Sequence, residues 1–166
     1  MSMNNEAFRA IANEIIAMSE ADQAMRKSEV WDETVDVKNT LSMKQIIAEV
    51  GWPTVSKVGL TASQMAWLLV QHADHDREFQ RTCLALMKAQ PAGEVDVQNI
   101  AYLEDRVRVG EGRQQLYGTQ FHTNEQGDLE PFPIEDQEHV DVRRAEVGLS
   151  TLAEYAAIMR SHRRSG

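Results

Sequence analysis

Phe8, Ile11, Ile15 and Met18 stand three and four positions apart. That spacing puts all four on one side of an α-helix, and no strand has that period. The same rhythm returns along most of the chain, interrupted by residues that start or stop helices. A sequence built this way must bury several helical stripes against one another, so it predicts a mainly all-α, bundle-like fold.

The interruptions divide the chain. Residues 5–27 read as a first helix. "WDETVDVKNTLSMKQIIAEV" reads as a second, closed by Gly51 with Pro53 beyond it. Thr61 is placed to cap a third helix that runs through Trp67 to His72. Asp74 or Asp76 caps a fourth, carrying Phe79, Cys83, Leu86 and Met87, and Asp96 caps a fifth that ends near Gly110 and Gly112. From Gln115 to Ile134 the texture changes to aromatics, Gly and Pro, which predicts a short β-hairpin or extended loop turning at "NEQG". Asp136 then caps a helix through "VDVRRAEV", and Thr151 with Glu154 forms a T-x-x-E capping box for the last one. Arg160, His162, Arg163 and Arg164 fall at the negative end of that helix's dipole. The sum is about six or seven helices in one bundle-like domain covering residues 1–166, with no repeat or linker.

Composition narrows the partners. Asp plus Glu number 26 against 17 Lys plus Arg, a net charge of -9. Nucleic acids and anionic membranes select basic surfaces, so neither is expected, whereas a small ligand or a basic protein is compatible. The single cysteine, Cys83, sits on the Phe79–Met87 face, excludes an internal disulfide and fits a core position in a cytoplasmic protein. "MSMNNEAFRA" has no basic segment followed by an apolar run, so no signal peptide is expected. The apolar run "MAWLLV" is too short to span a bilayer.

Projecting each helix at about 100° per residue sends several polar side chains inward. Asp22 and Arg26 lie within the Phe8–Ile11–Ile15 stripe, four apart and able to pair. Asn39 falls within the arc of Val35, Met43, Ile46 and Val50. His72 continues the Met65–Leu69 stripe, with Gln71 and His75 on the other side beside Gln64. In "NIAYLEDRVRV", Asp105 and Arg106 point into apolar surroundings, and Glu104 with Arg108 forms a pair on the wet side. Unpaired buried charge costs several kcal/mol, so these groups must pair, bind something or line a wet cavity.

Roles follow from chemistry. Imidazole suits proton transfer near neutral pH, so His72 is the candidate acid/base, oriented by Asp105 or Asp74. Asp22, Arg26, Asn39 and Arg106 are candidate substrate-binding residues, the arginines for a carboxylate or phosphate. Tyr117 and Gln120 would close over the ligand from the hairpin segment, where Gly118 permits close approach, and Arg143 adds a cation from "VDVRRAEV". Arg143 and Arg144 read as one outward and one inward arginine tied to Asp141 or Glu146. "HADHD" has helix-compatible spacing for two metal ligands, but Asp76 serves equally as a cap and no third ligand is in place. No metal and no cofactor is expected, and nucleotide-binding and triad motifs are absent from the sequence. Two function classes fit: an enzyme acting by His/Asp acid–base chemistry on a small anionic or amide-bearing metabolite, through hydrolysis, elimination or isomerisation, and a non-catalytic ligand-binding, resistance or immunity-type interaction protein.

The chain resembles a bacterial family of unknown function. The shared pattern appears here as Asp22-Gln23 with Arg26 one step later than the family spacing, then Gly51-Trp52-Pro53, Trp67 to Asp74 ("WLLVQHAD") and Phe79-Gln80. It continues with Tyr102 to Val107, Gln115 with Tyr117 to Gln120, Pro133-Ile134 with Asp136, and Asp141 with Arg143-Arg144 before Gly148-Leu149. The pattern overlaps the inward polar set and leaves out His75 and Asp76. It implies a cytoplasmic domain and no particular activity.

Overall fold

A computed structural model describes residues 5–164, apart from the Arg164 side chain. Residues 1–4, part of the segment read for a leader, and the Arg164 side chain, part of the basic C-terminal cluster, lie outside the described residues. The fold is mainly helical: eight α-helices and one two-stranded antiparallel hairpin among the described residues. The chain divides into two compact units between Asp96 and Val97, a seam that no Gly- or Ser-rich stretch marks.

The first unit holds α1 (Asn5–Lys27), α2 (Glu33–Val50), α3 (Val55–Val58), α4 (Leu60–Gln71) and α5 (Arg77–Lys88). α1 buries Ile11, Ile15 and Met25, and its inward face also carries Ser19 and Asp22. Trp31 lies outside α2, because Asp32 takes the N-cap and its Oδ1 accepts from the Thr34 amide at 2.9 Å. Gly51 closes α2 with φ 71°, a conformation open to glycine, and Lys57 Nζ donates to the carbonyls of Val50 (2.6 Å) and Trp52 (3.2 Å). The one-turn helix α3 is too short to show a period in sequence. Its presence moves the next helix start: Gly59, not Thr61, takes the N-cap position of α4, and Thr61 lies inside the helix. Asp76 rather than Asp74 caps α5, accepting from the Phe79 amide at 3.0 Å. α4 packs against α1, α2, α3 and α5. Ile15, Met43, Ala66, Val70 and Cys83 are wholly buried, with Trp52 and Met87 nearly so. Burial pushes the Cys83 thiol up to about 12, as an inert core cysteine requires.

The second unit holds α6 (Val97–Gly110), β1 (Phe121–Thr123), β2 (Leu129–Pro131), a 3-10 turn at Gln137–His139, α7 (Val140–Glu146) and α8 (Leu152–Arg164). The strands pair Phe121 with Pro131, His122 with Glu130 and Thr123 with Leu129. "NEQG" makes the turn, closed by the Gly127 amide donating to the Asn124 carbonyl at 3.0 Å. Asp136 does not cap the next helix with its side chain; it adopts φ 45° and its carboxylate faces His139 Nδ1 at 2.9 Å. The capping box is present: Thr151 N donates to Glu154 Oε2 at 2.9 Å and Glu154 N to Thr151 Oγ1 at 3.3 Å. Among the described residues, no helix is long and apolar enough to cross a membrane.

Candidate functional site

In the first unit, α1, α2 and the end of α4 bring Asp22, Arg26, Asp36 and His72 together. Asp22 is fully buried. Its Oδ2 lies 2.9 Å and its Oδ1 3.1 Å from His72 Nδ1. Arg26, one helical turn after Asp22, donates from Nε to Asp22 Oδ1 at 3.1 Å, and the same nitrogen lies 3.0 Å from His72 Nδ1. Its Nη2 donates to Asp36 Oδ1 at 2.8 Å. Gln23 Nε2 adds a bond to Asp22 Oδ2 at 2.9 Å, and the Trp31 ring lies 5.0 Å from the Arg26 guanidinium carbon. His72 stands at the C-cap of α4, where the helix ends and an imidazole can leave the core. Its side chain is 18% exposed, between the buried Asp22 and the surface.

The electrostatics set the two carboxylates apart. Burial is the largest influence on Asp22 and raises its pKa, but the Arg26 hydrogen bond, the charges of His72 and Arg26 and the Gln23 bond together hold it below the usual aspartate value. Asp36 goes the other way. Burial pushes it up, Arg26 pulls it down, and the neighbouring Asp22 charge adds to the rise. One guanidinium thus serves two carboxylates.

The sequence reading placed Asp22, Arg26 and His72 on inward faces, and the structure joins them. Asn39 is buried but stands apart from this cluster's bonds, its Nδ2 reaching the Met18 carbonyl at 3.5 Å. The carboxylate on His72 Nδ1 is that of Asp22. Asp74 is exposed, and its Oδ1 accepts from the buried Gln80 at 3.1 Å. Asp36 and Trp31 carry no signal in the sequence, because an acid in a first helical turn and a Trp beside a helix start both have ordinary explanations. Helical projection puts Gln71 on the other side of its helix from His72, beside Gln64. Gln71 is 7% exposed, and its Oε1 has no hydrogen-bond partner among the described residues. A buried acceptor left unmade costs about 1–3 kcal/mol, which a ligand or water donor would recover.

Asp22, Asp36 and His72 also offer three ligand atoms within 4.8 Å of one another. Arg26 already supplies the positive charge among them, through bonds to both carboxylates.

The second unit gathers the other candidates around residues 115–120. Asp105, fully buried, accepts from the amides of Leu116 (2.7 Å), Tyr117 (3.0 Å) and Thr119 (2.9 Å) and from Thr119 Oγ1 (2.9 Å). Burial raises its pKa, and these bonds offset only part of the rise. From the other side, Arg143 Nε donates to the Leu116 carbonyl (2.8 Å) and Arg144 Nη1 to that of Tyr117 (2.6 Å). The loop is gripped through its backbone. Arg144 is the inward arginine, 1% exposed, and lies against the Tyr155 ring. Arg143 is tied to main-chain carbonyls and to Asp136 rather than to Asp141 or Glu146. Asp141 instead accepts from the Leu152 amide at 2.7 Å.

Arg106, expected in the interior, is half-buried and donates to Gln120 Oε1 at 3.2 Å. Glu104, expected on the wet side, is buried beneath Arg108, which donates to it at 2.7 Å. Tyr117 is half-buried, and burial raises its phenol pKa. At Gly118, φ is 68° and an added Cβ would stand 2.8 Å from Leu152 Cδ1 and 2.9 Å from Ile134 Cδ1. The close approach there is by core side chains.

No curated protein and no solved structure matches the chain. A family model does match, over residues 9–163, and the chain accordingly belongs to the family of unknown function DUF6624.

Proposed function

We propose that the first unit carries an acid–base centre in which His72 transfers a proton on a small metabolite. One observation carries this reading: a fully buried carboxylate, Asp22, on Nδ1 of an imidazole that is itself only partly buried. A buried carboxylate draws the proton to Nδ1, which leaves Nε2 as the base, and it stabilises the imidazolium formed once Nε2 takes a proton. Arg26 then directs its Nε proton to Asp22 Oδ1 and fixes the carboxylate. Such a centre serves a step common to hydrolysis, elimination and isomerisation.

Charge selects among the substrates. Arg26 is engaged by Asp22 and Asp36, so with a neutral His72 the cluster carries excess negative charge. That favours an amide-bearing neutral metabolite over an anion. Asp22 and Arg26 are positioning residues in this scheme.

The test is a screen of small amides and related metabolites with purified protein, product being read by mass spectrometry. His72→Gln should abolish turnover while the melting temperature moves by a few degrees at most. Turnover that survives His72→Gln, or that falls only in proportion to unfolded protein, would refute the proposal. The pairing of Arg26 with both carboxylates favours a second reading, binding without chemistry. Ligand-induced stabilisation with no turnover across the panel would establish it.

A further inference from the structure

In the second unit, the hairpin and the last turns of α8 form the walls of an open surface cavity of about 640 Å³. Asp128 and Glu130 line its hairpin wall, and Arg160 and Arg163 its helix wall. These opposite charges share one cavity, yet no ion pair joins either arginine to either acid. Each arginine donates to a hairpin carbonyl instead, Arg160 Nε to Leu129 at 3.3 Å and Arg163 Nη1 to Gly127 at 2.8 Å. Glu130 is held by Asn124 Nδ2 at 3.1 Å and faces His122 Nε2 at 3.4 Å. The Asp128 carboxylate accepts no hydrogen bond from a described residue.

The arrangement is bipolar. Each guanidinium is pinned by one N–H and keeps others for a ligand. A plain anion would gain from the arginines and be repelled by the acids, and a plain cation would meet the reverse. A molecule with both charges gains from both walls. The volume falls within the range of about 300–1,000 Å³ usual for small-molecule sites.

We infer that this cavity binds a small zwitterion, an amino acid or short peptide with free ends, its carboxylate on Arg160 and Arg163 and its ammonium on Asp128 and Glu130. The site does not use His72 and stands independently of the acid–base reading.

The experiment is an NMR or calorimetric titration of the whole chain with glycine, glycylglycine and 6-aminohexanoate, against acetate, phosphate and methylamine as single-charge controls. At least one zwitterion should bind about tenfold or more tightly than every control. Arg160→Gln and Asp128→Asn should each weaken it by a similar factor, with melting temperature unchanged because both positions are exposed. His72→Gln should leave binding intact. Acetate or phosphate binding as tightly as any zwitterion would reduce the cavity to an anion site and overturn the inference. So would failure of all three zwitterions to bind, or binding insensitive to Asp128→Asn.

Discussion

Asp22 and Asp105 are the same residue type, each 0% exposed and each on a helix, yet their environments shift their acidity in opposite directions. Asp22 meets a guanidinium, an imidazole and an amide side chain, and its pKa falls. Asp105 meets three backbone amides and a hydroxyl, and burial prevails. At Asp22 the neighbouring charges and hydrogen bonds outweigh desolvation, and at Asp105 the hydrogen bonds do not. The consequence is a division of labour. A carboxylate held by charged and titratable side chains sets the charge state of those side chains. A carboxylate held by main chain organises that main chain, and Asp105 fixes residues 116–119.

The largest effect expected from breaking this contrast is at Asp105. Asp105→Ala strands three amides and the Thr119 hydroxyl in a buried loop, and should cost about 3–5 kcal/mol in chemical denaturation. Asp105→Asn, which keeps one oxygen acceptor, should cost less. Asp22→Asn should cost about 2–3 kcal/mol, since Arg26 and His72 lose their common counter-charge. It should also move the His72 titration to lower pH by NMR, and no such movement should follow Asp105→Asn. An equal response of His72 to both variants would erase the distinction.

The pH dependence of stability sharpens it further. The folded state of Asp22 has a pKa below the usual 3.8, so its stabilisation is complete above that value and is lost as pH falls through the folded pKa. Asp105 has a folded pKa above 3.8, so its contribution is complete below that value and is lost as pH rises through the folded pKa. In urea melts across the acid range, Asp22→Asn should therefore flatten the acid-side loss. Asp105→Asn should remove an opposing slope just above it. The smallest effect is expected for Asp36→Asn. This half-buried residue holds Arg26 through one hydrogen bond, and its loss should cost about 1 kcal/mol or less, with His72 titration nearly unchanged.

Much of the fold was legible because its signals are local. The α1 stripe, the Gly51 stop, the "NEQG" turn and the Thr151–Glu154 box each act within a few residues, and each appears where the sequence puts it. The errors came from the same locality. α3 is a single turn with no period to detect, so the start of α4 was misplaced. The Glu104–Arg108 pair forms as the spacing predicts, but Glu104 is buried, which the projection of α6 alone cannot show.

The candidate site divides in the same way. Inward phase alone identified Asp22, Arg26 and His72, because a polar residue on an apolar stripe is visible in one helix at a time. Asp36 and Trp31 were not visible, since nothing in α2 or its approach marks them as belonging to a cluster on α1 and α4. The sequence by itself determined which side chains leave the solvent, through a helical period that any neighbour must respect. Only the tertiary structure decided which carboxylate meets the imidazole and which meets bare amides. Hydrogen bonds and charge pairs act over about 3–4 Å, and residues 50 apart in the chain reach that range only when their helices pack.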